Sequence, residues 1–390
     1  MRKFQVVSKQ ITNDRRFYIF NTHAIPPYLL MTTKLLIAMH NSVLIVESSN
    51  TNWKSYESLK GNHMPQCIAF DPSNLDRAYC GTFGGGLWKT DDSGDSWNNI
   101  GNQFISSKDI MSVSVSNLQR GNKEFNTVYV GTEPTTFYRS DDGGESWEKM
   151  SSLNNLKSSK SWSFPPRPWT SHVRYIESDR TKPDYLYVAI EAGALVQSHD
   201  GGKTWIDRVE GGPYDTHTIA TNKKEPGRLY SAAGDGYFES YDYGQSWRRL
   251  VAGLDGYDYL AGLAVDSGDP NNIIVSASQW ANKAHSIEDA ESLVYRRTSF
   301  SPTSDANNND NNSNEKGWKV VSKGLPRPTG TLISVLAANP KVAGEFYAVN
   351  NCGIFCSTDS GISWNILDGI QWPKEYLSQH PRALAIKEDR

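Results

Sequence analysis

The chain has 390 residues, long for one ordinary domain and short for three. Its 40 Lys+Arg against 43 Asp+Glu give a net charge of −3, so there is no bulk positive field to hold nucleic acid. Charged residues make up 21 %, which excludes general disorder, and 12 Trp, 19 Tyr, 31 Gly and 18 Pro favour short strands joined by turns.

Residues 1–30 read as an N-terminal extension. The basic start MRKFQVVSKQITNDRR is followed by a stretch that Pro26 and Pro27 interrupt. Neither a signal peptide nor a spanning helix is expected, and Met31 is an alternative start. The four cysteines, Cys67, Cys80, Cys352 and Cys356, lack zinc spacing and are too few for a disulfide scaffold. They read as free, buried thiols and fit a cytoplasmic protein.

Three short strands come first, at 34–38, 43–47 and 53–56, with no partner strand ahead of them. A fuller unit follows: strand A at 66–72, strand B at 77–82, a hairpin at Gly84-Gly85-Gly86, strand C at 87–89, and strand D starting at Trp97. The same order returns at 172–176, 185–188 and 194–196, and again at 217–220, 228–231 and 237–239. Between strands C and D one octet recurs five times: TDDSGDSW at 90–97, SDDGGESW at 140–147, SHDGGKTW at 198–205, SYDYGQSW at 240–247 and STDSGISW at 357–364. Its Asp can accept backbone N–H groups of its own turn, its Gly supplies a positive φ, and its Trp packs between sheets. A carboxylate that recurs in every unit cannot be a single active site, so these Asp residues read as structural.

This octet is the Asp-box, and the chain resembles the BNR-repeat β-propeller proteins over most of 31–390. Within them it is similar to the single-propeller group labelled BNR glycosyl hydrolase or exo-α-sialidase-like. The resemblance implies an all-β fold, a seven-bladed β-propeller of four-stranded antiparallel blades. Five blades carry the octet. A sixth, degenerate blade uses strands at 263–266, 272–276, 293–296 and 317–321, with the Asn/Asp-rich stretch 301–316 read as a flexible insertion rather than a calcium loop. The seventh is shared by the termini: the strand at 382–387 joins those after Met31, which removes two open sheet edges. Residues 31–390 are thus expected to form one domain, and a monomer.

Strand order puts the D-to-A links and the B–C hairpins on one face. That face gathers the long links 150–171, 251–260 and 368–381 and the insertion 280–292, lengths that closing a blade does not need. Aligning strand A across blades puts Gln66, Met111, His172, His217, Ala261, Ser334 and Arg382 at equivalent positions around the channel. The candidate ligand-binding residues are His172, Arg174, Asp215, His217 and Arg382, with Tyr257 and His380 at the rim. They favour an anionic group. No metal motif and no cofactor site is read from the sequence.

Asp-box propellers include sialidases, but this chain has no Arg-Ile-Pro element, and Arg77 and Arg120 fall on the wrong face. Xyloglucan-cleaving relatives need a second propeller. Photosystem assembly factors and sortilin-type receptors share the box and act by binding. The expected function is therefore a soluble binding or scaffold module for a protein partner or a small polar or anionic ligand, with no nucleic acid and no membrane. The alternative is a glycoside-cleaving enzyme, hydrolase or lyase, with catalytic candidates Asp215, His217, Tyr257 and Asp258.

Overall fold

The computed structural model describes residues 32–49, 52–121, 124–298 and 317–389. The extension at 1–30 and the insertion at 301–316 lie outside the described residues. Seven separate sheets follow one another along the chain, each starting at its innermost strand, A. Blade 1 joins Ala383–Asp389 to Thr32–Ala38, Val43–Ser49 and Asn52–Ser58. The strands A of blades 2 to 7 are Pro65–Asp71, Asp109–Arg120, Val173–Ser178, Thr216–Thr221, Tyr259–Val265 and Val335–Ala338. The degenerate blade is complete, with Lys319–Val321 as its strand D.

The ring closes as the sequence indicates. Ala383–Asp389 pairs antiparallel with Thr32–Ala38 along its whole length, Leu36 opposite Ala385, and the Arg382 amide donates to the Ala38 carbonyl at 2.9 Å. Side chains of Leu35, Ile37, Leu384 and Ile386 then pack on Tyr347 and Val349 of blade 7, while Leu36 and Ala385 join a cluster with Ile68 and Cys80 of blade 2. Each core cluster lies between neighbouring sheets, so every blade needs the next one to bury its faces.

The octets are self-contained turns. In each, the Asp carboxylate accepts the amide and hydroxyl of the Ser or Thr four residues on. For Asp142 these are Ser146 N at 2.9 Å and Ser146 Oγ at 2.5 Å, with Ser140 Oγ at 2.9 Å. Gly361 has φ +81°, and a Cβ there would lie 2.3 Å from Ile274 Cδ1, so the turn requires glycine on both counts. A second recurring polar turn caps strands A and B. Asp71, Asp179, Asn222, Asp266 and Asn339 each accept the backbone N–H two residues further on.

Blade 4 departs from the pattern. It has three strands, and its fourth is reduced to a bridge between Gln197 and Ile206. The chain leaves the sheet there because Asp207 turns to accept the Ser158 amide at 2.9 Å, anchoring the long 150–171 link. That link folds as two short 3₁₀ turns over the apolar residues Leu153 and Trp162, both buried against blade 4.

Candidate functional site

The mouth of the ring is a funnel. An outer cavity of about 490 Å³ leads into an inner channel of about 140 Å³. Gln66, Met111, Arg174, His217, His285 and Arg382 line both, and so form the neck.

The neck is built by bulges. Where strand A meets strand B near the mouth, the register slips between Pro65 and Cys67, Ile110 and Ser112, Val173 and Tyr175, and Thr216 and Thr218. The extra residues, Gln66, Met111, Arg174 and His217, are turned out of the ladder and into the channel, as a bulge re-aims a side chain. Arg174 therefore shares a position with His217. His172, which simple sequence alignment puts there, stands two residues earlier and lines the outer cavity alone.

Two glutamates that the sequence reading missed organise the outer cavity. His172, 1 % exposed, lies with Nε2 2.8 Å from Glu191 Oε2 and Nδ1 3.4 Å from Glu133 Oε2. Arg174 Nε lies 3.2 Å from the same Glu191 oxygen. Burial would raise the Glu191 pKa, but the His172 hydrogen bond and the Arg174 charge overcome it and hold the carboxyl well below its usual range. Glu133 is clamped by Arg167, whose Nε and Nη2 reach its two oxygens at 2.8 and 2.6 Å. Arg167 comes from the 161–169 run, so this ion pair draws Phe164, Pro165 and Pro166 over as one wall of the cavity. The Phe164 ring meets His172 edge-on at 4.8 Å.

Asp215 accepts the Ala192 amide through Oδ1 at 2.7 Å and turns Oδ2 towards His217 Nε2, 3.6 Å away. Gly234 makes this possible, since a Cβ there would stand 2.1 Å from Oδ2. Burial lowers the His217 pKa, but Asp215 and Glu191 outweigh it and raise it above its ordinary value. Tyr259 fills the next position round, its ring 5.0 Å from His217 and its hydroxyl 2.9 Å from His285 Nε2. His285 is exposed on the funnel wall; desolvation by the surrounding wall and the charges of His217, Arg382 and Arg174 push its pKa down to about 3. His380 lines the inner channel with its ring 4.9 Å from His285. Enclosure and the neighbouring His285 and Arg382 charges push it well below the usual range.

Arg382 completes the neck. It is exposed and lines both parts of the funnel, and no carboxylate pairs with it among the described residues. Enclosure and the like charge of Arg174 lower its pKa, as for a guanidinium short of a counter-anion.

Tyr257 and Asp258 do not line the cavity. The Tyr257 hydroxyl donates to Glu291 at 2.8 Å, and Asp258 pairs with Arg249 at 3.0 Å on the rim. The funnel thus assembles His172, Arg174, Asp215, His217, His380 and Arg382, adds Glu191, Glu133, Tyr259 and His285, and leaves those two outside. Glu191, Asp215 and His217 bring one donor atom each within 4.8 Å of one another, a metal-like spacing. The donor set does not fit a divalent ion, because His172 and Arg174 already satisfy Glu191 and a second guanidinium shares the cavity.

Fold and funnel define a seven-bladed β-propeller with a charged, partly lidded mouth. No protein-family model matches the chain, and no curated protein sequence does either. Solved structures do match. The GH74 xyloglucanase from Xanthomonas campestris superposes with a TM-score of 0.57 at 15 % identity, over 86 % of this chain and 54 % of that one. The GH74 enzyme from Niastella koreensis gives 0.58 at 14 %, over 85 % and 53 %. YCF48 bound to D1 peptide gives 0.51 at 17 %, over 78 % and 81 %. The chain spans about half the length of these two GH74 enzymes, 53 and 54 %. At such identities the likeness shows the fold alone.

Proposed function

We propose that this propeller is a soluble binding module whose funnel captures an anionic group of a small ligand or a protein partner. One observation carries the reading. Arg174 and Arg382 both line the outer cavity, and Arg382 has no carboxylate partner among the described residues. Two guanidiniums lining one cavity favour a carboxylate or a similar anion. The Asp-box octets support a BNR-repeat propeller, and YCF48, seen with a bound peptide, gives the fold a binding precedent. Four free thiols support a reducing compartment such as the cytoplasm. Among the described residues no helix is long and apolar enough to cross a membrane.

The test is calorimetric titration of the full chain with glucuronate, against glucose as the neutral control. The acid is expected to bind and glucose not. Arg382→Ala is expected to weaken binding at least tenfold without changing the unfolding midpoint much. Equal affinity for acid and neutral sugar, or an unchanged variant, overturns the reading.

Glycoside cleavage is the second reading. It is favoured by the Tyr259 hydroxyl bonded to His285, with its ring beside His217 in the same cavity, and by the GH74 neighbours.

A further inference from the structure

Anion capture alone does not account for the Tyr259 side of the funnel. An anion site needs donors, and the two guanidiniums supply them. Yet the cavity wall facing the ligand space also carries a phenol hydrogen-bonded to His285 and tilted against His217, all three lining the same 490 Å³ space as Arg174 and Arg382. His217 is held in a defined tautomer. Its Nδ1 lies 2.6 Å from the Leu260 carbonyl, so Nδ1–H donates there and Nε2 is left facing the cavity and Asp215.

We propose that the funnel cleaves 4-linked uronic acid chains by β-elimination, with Arg174 and Arg382 holding the uronate carboxylate, His217 as the base and Tyr259 as the acid. This rests on the anion-binding reading and adds a reaction to it. The proton on C5 of a uronate is α to the carboxylate and becomes removable once that charge is neutralised. The two guanidiniums stabilise the charge that develops on the carboxylate oxygens. His217 Nε2 takes the C5 proton. The C–H electron pair becomes the C4=C5 double bond, and the C4–O4 bond breaks with its pair going to O4. Tyr259 gives its proton to O4. The proton on His217 then returns to the Tyr259 phenolate, so no water, oxidant or other reactant is consumed.

The surroundings match these roles. Burial and the Glu191 and Asp215 charges raise the Tyr259 pKa, which keeps the phenol protonated as an acid must be. Asp215 and Glu191 raise the His217 pKa against the effect of burial, which makes its imidazole a stronger base. The other titratable groups facing Tyr259 and His217 are Glu191, Asp215, Arg174 and His285. Hydrolysis by paired carboxylates fits less well, because Glu191 is engaged by His172 and Arg174 and Asp215 by the Ala192 amide and His217. An outer cavity of 490 Å³ falls within the span of about 300–1,000 Å³ typical of small-ligand sites. The neck beyond it leads to the 140 Å³ inner channel.

The full-length protein is incubated with oligogalacturonate and, separately, oligomannuronate. Binding is followed by calorimetry and reaction by the ultraviolet absorbance of the new conjugated double bond, with product masses by mass spectrometry. The expected result is binding of at least one oligomer, growth of the absorbance, and products whose masses sum to the substrate with no water added. Tyr259→Phe and His217→Gln should each lower the rate at saturating oligomer at least about a hundredfold. If His217→Gln fails to fold for want of its Leu260 bond, Tyr259→Phe, which removes a single oxygen, carries the test. Binding without the double bond, or products that have gained water, overturns the elimination and leaves anion capture standing. Glucuronate binding with neither oligomer bound overturns it too. Absence of binding to any of the three acids overturns both.

Discussion

Nδ1 of His217 on blade 5 lies 2.6 Å from the carbonyl oxygen of Leu260 on blade 6. One bond thus joins two blades, fixes the imidazole tautomer and aims Nε2 at Asp215. Burial pulls the His217 pKa down, Asp215 and Glu191 push it up, Arg174 opposes them, and the carboxylates win. The folded value therefore exceeds the unfolded one. The stabilisation this brings is complete below the ordinary imidazole value of about 6.5 and is lost as pH rises through the raised folded value. Asp215→Asn keeps the Ala192 bond and removes the charge. It is expected to drop the His217 pKa and to flatten the pH dependence of stability in the neutral range. Proton NMR of the imidazole across pH reads the first effect, and an unmoved titration would show that Asp215 is not the partner.

The octet aspartates make the opposite prediction. Burial raises their pKa values, but the Ser or Thr hydrogen bonds outweigh it, and all five are lowered, Asp359 to about 2. Their contribution is complete above the unfolded value of about 4 and is lost as pH falls through the folded ones. Acid denaturation should therefore be steep below that point. Asp142→Ala leaves the Ser146 amide and hydroxyl without their acceptor and is expected to cost about 1–2 kcal/mol at neutral pH. Urea denaturation measures it, and a loss of function greater than the loss of stability would point to a role beyond the turn.

The same turns explain what the sequence could reveal. A corner that recurs with its Asp, Gly and Trp in fixed places is a local device, and local devices are written in consecutive residues. Blade number and ring closure followed from it. The funnel is not local. The same one-residue bulge holds Arg174 in blade 4 and His217 in blade 5, so Arg174 rather than His172 meets His217 at the neck, and matching one histidine to the other sets strand A of blade 4 off by two residues. Glu133 and Glu191 escaped notice because each closes an apolar strand B, at neighbouring positions in adjacent blades, where a charge reads as a strand end. A glutamate at that position in two consecutive blades was the signal available. Tyr257 and Asp258 were drawn in by loop membership, but their side chains are claimed by Glu291 and Arg249.

The closing strand makes a stability prediction of its own. Ala385 pairs with Leu36 in the middle of the joint between the chain ends. Proline in mid-strand disrupts the ladder, a cost of about 1–3 kcal/mol where a hydrogen bond is lost. Ala385→Pro should lower the unfolding midpoint of the whole ring as one transition, because blade 1 packs on both blade 7 and blade 2. Separate transitions for different blades would mean that ring closure does not couple them.

Away from the funnel, Glu239 tests how neighbouring blades are held. It is fully buried on strand C of blade 5, Gly236–Ser240. It accepts Arg228 Nη2 at 3.0 Å from its own blade and Arg297 Nη1 at 3.0 Å from strand C of blade 6, together with the Tyr237 hydroxyl at 2.7 Å. Both arginines are nearly inaccessible, at 2 and 4 %. Such a triad need not be more stable than an apolar replacement of the same shape, but removing the Glu239 charge takes away the anion the two arginines share and leaves Arg228 with Glu225 at 2.7 Å. Glu239→Gln keeps the volume and removes the charge, and is expected to cost about 3–5 kcal/mol. Glu239→Gln combined with Arg297→Met should recover part of that loss, since it also removes one of the two charges that Glu239 pairs. Denaturation of the single and double variants decides the matter. A double variant less stable than the single one would show that Arg297 stabilises the blade interface by packing rather than by charge.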